Sequence, residues 1–233
     1  LGGDHREWSH SLERDGGCSL TRSQLWCGVS TSKMFDESEF IKVYKEAFGG
    51  PPYFEQYSDE EVREEIVLPH LRDGVVAYAT DNDTLVGFGC ALPFDRSPED
   101  VQEFLSDLDS VGEIPDAFDY RNAWYMSELG VCISHRGRGI AWALVRQSMM
   151  QIVAQGDRQY CMRTARVGSN SMPMFVKSGA TLLNRFQDIS STNQATENLT
   201  QSLQRVYLWG DCKKTVARIE AIQSRSYPLF CNV

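Results

Sequence analysis

The feature that most restricts the fold of this chain is a change of hydrophobic period around residue 135. Tyr125-Met126-Ser127-Glu128-Leu129-Gly130-Val131-Cys132-Ile133 reads as a strand, and Trp142-Ala143-Leu144-Val145 onward reads as a helix. Between them lies Arg136-Gly137-Arg138-Gly139-Ile140-Ala141. A strand that ends in a glycine-rich turn at a helix start is suited to holding phosphate. The first N–H groups of a helix have no partner within it, and the helix dipole adds positive charge there. Glycine tolerates a close approach to the backbone, and Arg136 and Arg138 can add charge-assisted hydrogen bonds.

The elements around this unit alternate as an α/β domain does. Gln24 to Ser30 reads as a first strand, and Asp36 opens a helix with Phe40, Ile41, Tyr44 and Phe48 at helical spacing. Ser58, with Glu61 three residues on, predicts a capping box for a second helix. Gly74 to Thr80 and Thr84 to Phe94 predict a hairpin turning at Asp81-Asn82-Asp83. Residues about 97–119 form a helical insertion with Val101, Phe104, Leu105 and Leu108 on one face. After the strand-turn-helix unit come a strand from Tyr160, a short helix from Ser171, a strand from Ala180 to Phe186, a polar loop from Ser190, and a strand from Arg205 to Trp209. Residues 1–23 lack periodicity and read as a disordered tail or linker, 24–210 as one domain, and 211–233 as an extension with no assigned place.

Composition narrows the functional classes. No apolar run approaches the roughly 18 residues that span a bilayer, so no membrane partner is expected. Seven cysteines without a C-x-x-C pair point to a reducing, cytoplasmic setting, and four scattered histidines offer no metal-binding spacing. Residues 1–133 hold 10 Lys and Arg against 27 Asp and Glu, a balance of −17, whereas residues 134–233 hold 13 against 5, or +8. A basic half that starts at the phosphate turn suits a polyanionic ligand; an acidic half suits a cationic acceptor. The basic residues form no stripe with aromatics, which disfavours nucleic acid.

Glu128-Leu129-x-Val131 followed by Arg136-x-x-Gly139-x-Ala141 resembles the acyl-CoA signature of the GCN5-related N-acetyltransferases. Asn170-Ser171-Met172-Pro173-Met174-Phe175-Val176-Lys177-Ser178-Gly179-Ala180 is similar to that family's second motif, and the resemblance covers roughly Leu25 to Gly210. It implies an α/β fold with a mixed, mostly antiparallel central sheet and helices on both faces, and acetyl-CoA as acyl donor. Carried onto this chain, the backbone at Val131, Cys132 and Ile133 would bind pantetheine, with the Val131 N–H facing the thioester oxygen. The stretch from Arg136 to Leu144, with Arg136, Gly137, Arg138, Gly139, Ile140 and Ala141 foremost, would hold the pyrophosphate, and Asn170 would assist.

Glu128 is the expected base for a primary amine of a cationic small molecule. The family's thiolate-protonating tyrosine falls on Phe175, which cannot donate, so Tyr125, Tyr160 or water is expected to serve instead. A protein or peptide N-acetyltransferase and a non-catalytic acyl-CoA sensor are the alternative readings, and a homodimer is left open. The insertion is expected to cover the acceptor cleft and to present Asp107 and Asp109 at its mouth.

Overall fold

The computed structural model describes residues 18–20, 25–30, 36–156, 159–190 and 202–226. The polar loop expected after Ser190 lies outside the described residues from 191, as do residues 1–17 of the expected tail. Cys18–Leu20, however, forms a strand, β1, that pairs antiparallel with β2, Leu25–Ser30, so the sheet reaches into the stretch read as a tail.

Helix α1, Glu37–Phe48, starts where Asp36 accepts the Ser38 N–H at 2.7 Å. It buries the expected Phe40, Ile41, Tyr44 and Phe48. The capping box forms at α2, Asp59–Glu61, which runs through a π-helical segment, Val62–Val67, into α3, Leu68–Asp73. The hairpin follows as β3, Val75–Asp81, and β4, Thr84–Pro93, with Asn82 and Asp83 left-handed at the turn. Helix α4, Glu99–Ser110, lies within the insertion and precedes β5, Trp124–Val131. Then come α5, Ile140–Ala154, β6, Gln159–Ala165, α6, Ser171–Lys177, β7, Thr181–Ser190, β8, Ser202–Asp211, and α7, Cys212–Ser226.

One sheet orders them β1-β2-β3-β4-β5-β6-β8-β7. Every pairing is antiparallel except β5 with β6, so the expected fold class holds. On one face α5 packs Val145, Met149 and Ile152 against Trp124, Met126, Tyr160 and Leu208. On the other face α1 covers Tyr78, Phe88 and Cys90, and α4 covers Tyr125, Cys161 and Tyr207. The unplaced C-terminal extension supplies α7, which docks beside α5 through fully buried Ile219 and through Arg146 Nη2 on Glu220 Oε1 at 2.6 Å. Burying an isoleucine of that size contributes about 1.5–3 kcal/mol, which suffices to fix the helix end.

Two irregularities in the sheet centre position the site. The parallel pair β5–β6 extends only from Trp124↔Tyr160 to Met126↔Met162, after which the strands part. On the other edge of β5, Ala91 faces Met126 and Cys90 faces Glu128, leaving Ser127 as an extra, bulged residue. Alternation would put Tyr125 and Glu128 on opposite faces. The bulge instead puts both on the α1/α4 face.

Candidate active site

Where β5 and β6 separate, a groove of about 520 Å³ runs along β5 to the start of α5. Cys132 N–H donates to Val86 O at 2.9 Å, which makes Cys132/Val86 and Gly130/Phe88 the hydrogen-bonded pairs with β4. The N–H groups of Leu129 and Val131 are thereby directed away from β4, into the gap left by β6. Two residues of the turn are left-handed, Gly137 at φ 76° and Gly139 at φ 82°. That backbone shape is what requires glycine here, because a Cβ on Gly137 would meet nothing within 4 Å. It aims the unpaired N–H groups of the first turn of α5 into the groove.

Of the residues expected to bind the donor, Val131, Arg136, Gly137, Gly139, Ile140, Ala141 and Asn170 line this groove. Cys132, Ile133 and Arg138 do not. The Cys132 side chain is buried in the α1 core, and burial holds its thiol up at about 11. Ile133 N–H is taken by Glu46 Oε1 at 2.7 Å, and Arg138 turns to Ser134 O at 3.3 Å and toward Asp81. Arg136 is itself partly engaged, donating to Val131 O at 3.1 Å. Trp142, within the stretch expected to hold pyrophosphate, lines the groove too, but sequence reasoning missed Lys177 and the α7 residues Ile222 and Gln223 on its wall. The last two come from the unplaced extension, where no motif could have announced them.

A second cavity of about 90 Å³ adjoins the first and shares Phe48, Tyr53, Leu129 and Ser171 with it. Half-buried Glu128 lies in its lining with Glu55, Tyr125, Arg163 and Arg205. Burial pushes the Glu128 carboxyl well above the usual carboxylate range, the like charge of Glu55 adds to this, and Arg163 and Arg205 oppose it. Among the described residues its carboxylate makes no hydrogen bond. Burial likewise raises Glu55, which accepts from Tyr44 Oη at 3.3 Å and faces Arg205 Nη2 at 3.9 Å. Arg163 pairs with Asp100 of α4 and donates to Gln187 Oε1 at 3.2 Å.

The bulge beneath Glu128 is clamped from behind. His70, buried in α3, places Nδ1 2.5 Å from Ile66 O and Nε2 2.6 Å from Ser127 Oγ. A neutral ring that donates from Nδ1 and accepts from Ser127 satisfies both contacts. Burial lowers its pKa to about 4, which keeps it neutral.

Tyr125 borders the small cavity, but it is 3% exposed, with its ring in the α4 core. Tyr160 is fully buried, bonds Thr215 Oγ1 at 3.2 Å and reaches neither cavity. Phe175 is likewise core. A different hydroxyl group of residues stands at the junction. Tyr53 Oη lies 3.0 Å from Thr164 Oγ1, which lies 2.7 Å from Ser169 Oγ and 2.9 Å from Ser171 Oγ. Helix α4 does cover the expected face. It turns Asp100 toward the cavity, whereas Asp109 is tied to Arg121 at 2.8 Å and Asp107 borders a separate, open depression. The helix enters at its N-terminal end, so the expected pair sits on its far end.

Among the described residues, no helix is long and apolar enough to cross a membrane. Residues 39–179 match the family model described as Acetyltransferase (GNAT) family. The fold is similar to that of an N-acetyltransferase from Staphylococcus aureus Mu50, with TM-score 0.56, 13% identity, and 80% of this chain and 98% of that one covered. It is also similar to the ribosomal-protein-S18-alanine N-acetyltransferase of Escherichia coli, with TM-score 0.53, 8% identity, and coverage of 80% and 94%. A GNAT family acetyltransferase from Elizabethkingia anophelis with acetyl-CoA bound gives TM-score 0.50, 11% identity, and coverage of 80% and 97%. No curated protein gives a match by sequence.

Proposed function

The chain belongs to the GNAT acetyltransferase family, an acyltransferase family that uses acetyl-CoA, and on that premise we propose that it acetylates a small molecule through a primary amine that is cationic in solution, with Glu128 as base. The observation that carries this reading is the carboxylate of Glu128. It is half-buried, held above its ordinary pKa and without a hydrogen bond, in a cavity that shares a wall with the donor groove. A carboxylate in that state is a stronger base than an exposed one, and the acceptor ammonium must lose a proton before it can attack.

In this reading the donor's phosphates meet the Gly137–Gly139 turn and the first N–H groups of α5, with Asn170 and Lys177 beside them. The thioester lies along β5 with its oxygen toward the Val131 N–H, which stabilises the developing oxyanion. Glu128 takes one proton from the acceptor ammonium. The neutral nitrogen attacks the thioester carbon, the C–N bond forms, and the C–S bond breaks. The second nitrogen proton must leave and the thiolate must gain one. The hydroxyls of Ser171, Thr164 and Tyr53 at the junction serve that transfer in place of Phe175. They give the chain a donor that neither Tyr125 nor Tyr160 supplies.

A thiol-release assay with acetyl-CoA and a panel of primary amines tests the reading. Turnover that rises with pH and falls by roughly 10²- to 10⁴-fold in Glu128→Gln is the expected result. A protein that binds coenzyme A by calorimetry yet acetylates no amine overturns it.

A further inference from the structure

Of the two guanidinium groups in the small cavity, only one is committed. Arg163 is held by Asp100 and Gln187, and Gln187 is fixed in turn by Tyr207 Oη at 2.7 Å and by its own bond to Asp100 O at 3.2 Å. Arg205 has no such partners. Its contact with Glu55 is 3.9 Å, too long for a hydrogen bond, its guanidinium lies 5.0 Å over the Tyr53 ring, and its Nε is buried without an acceptor. Among the described residues Glu128, in the same cavity, also makes no hydrogen bond, and the two form no ion pair with each other. A charged group held in a confined site without hydrogen bonds is costly. Two of them, opposite in sign and lining 90 Å³, leave a place for a guest that carries both complementary charges. A purely cationic guest would satisfy Glu128 and leave Arg205 without a hydrogen-bonded partner.

We propose that the acceptor is a free amino acid, whose ammonium meets Glu128 and whose carboxylate meets Arg205. The proposal rests on the acetyl-transfer reading above and adds the anionic group to it. The cavity is large enough only for the part of the acceptor around its reacting nitrogen. The amine and the carboxylate are therefore close together, as on one α-carbon, and the side chain leaves toward solvent. Arg205 comes from the basic half of the sequence, which the charge count had assigned to the donor alone.

The test is a matched set assayed by thiol release: a panel of L-amino acids, their amides and the corresponding decarboxylated amines. The best amino acid is expected to exceed its amide and its amine by at least about tenfold in kcat/KM, equivalent to about 1.4 kcal/mol. The amide's less basic nitrogen would otherwise favour it. Arg205→Met should erase that gap with the Kd for coenzyme A unchanged, and Arg205→Lys should restore part of it. If amides or simple amines are acetylated as well as the amino acids are, acetyl transfer stands and the amino-acid assignment falls. If no member of any set is acetylated while coenzyme A binds, the enzymatic reading falls as well.

Discussion

The groove proposed for the donor and the cavity proposed for the acceptor share a wall of Phe48, Tyr53, Leu129 and Ser171, yet they are built from different parts of the chain. The groove is largely a backbone construction: an open strand edge, two left-handed glycines and a helix start, all between Leu129 and Trp142. The cavity is a side-chain construction. Its charges come from the α1–α2 connection (Glu55), β5 (Glu128), β6 (Arg163) and β8 (Arg205), which the sheet brings together from 150 residues of sequence. A ligand held by backbone leaves a local motif. A ligand held by side chains from four elements leaves only single residues of ordinary types.

The comparison can be broken by substitutions that ought to harm one cavity and spare the other. The largest effect is expected for Glu128→Gln, with kcat/KM lowered by roughly 10²- to 10⁴-fold and the Kd for coenzyme A unchanged. Loss of donor affinity in that variant would show that the cavities are not separable. Next comes Gly139→Leu. Forcing a branched side chain into a left-handed residue costs about 1–2 kcal/mol and displaces the turn, so coenzyme A should bind roughly 10- to 100-fold more weakly by calorimetry. A variant of native affinity would remove the turn from the donor site.

Smaller changes sharpen the picture. The Glu128 carboxyl is raised, so it stays protonated where an ordinary glutamate has ionised, and the acid limb of kcat/KM against pH should lie above the usual carboxylate range. Glu55→Gln removes the like charge that helps raise it, and the limb should move to lower pH; an upward move would contradict the electrostatics of the cavity. Ser171→Ala is expected to lower kcat by less than the roughly 10²-fold lower bound for a full general acid, because the hydroxyls of Thr164 and Tyr53 remain. Neutralising Asp107 and Asp109 together should change KM for the acceptor less than about twofold, because exposed charges turned away from the site are screened. Asp100→Asn, which unpairs Arg163, should change it more.

The same contrast decides what the sequence disclosed. The helices at Asp36 and Ser58, the hairpin at Asp81-Asn82-Asp83 and the strand-turn-helix of 124–154 are local patterns, and each appears where its caps and periodicity put it. Strand β1 and helix α7 are not legible, because β1 is three residues long and α7 is fixed by contacts with α5 that have no sequence signature. Glu128, the proposed base, was singled out through the motif that contains it. Glu55, Arg163 and Arg205 were not, since a lone charged residue gives no period and no spacing. Cys132, Ile133 and Arg138 were drawn in by neighbourhood alone, and their partners, Val86, Glu46 and Asp81, lie 46 to 87 residues away or across the sheet.

The bulge at Ser127 gives β5 two reading frames. Before it, odd residues look to one face; after it, even residues do, and Glu128 is the first side chain delivered by the new frame. Loss of the single codon for Ser127 would remove the extra residue and the contact with His70, while plain alternation after Met126 would still carry Glu128 to the face of Tyr125 and Leu129 to the α5 side. The extra residue therefore sets how β5 is clamped rather than which face its carboxylate takes, and the frame itself would survive the loss of that triplet.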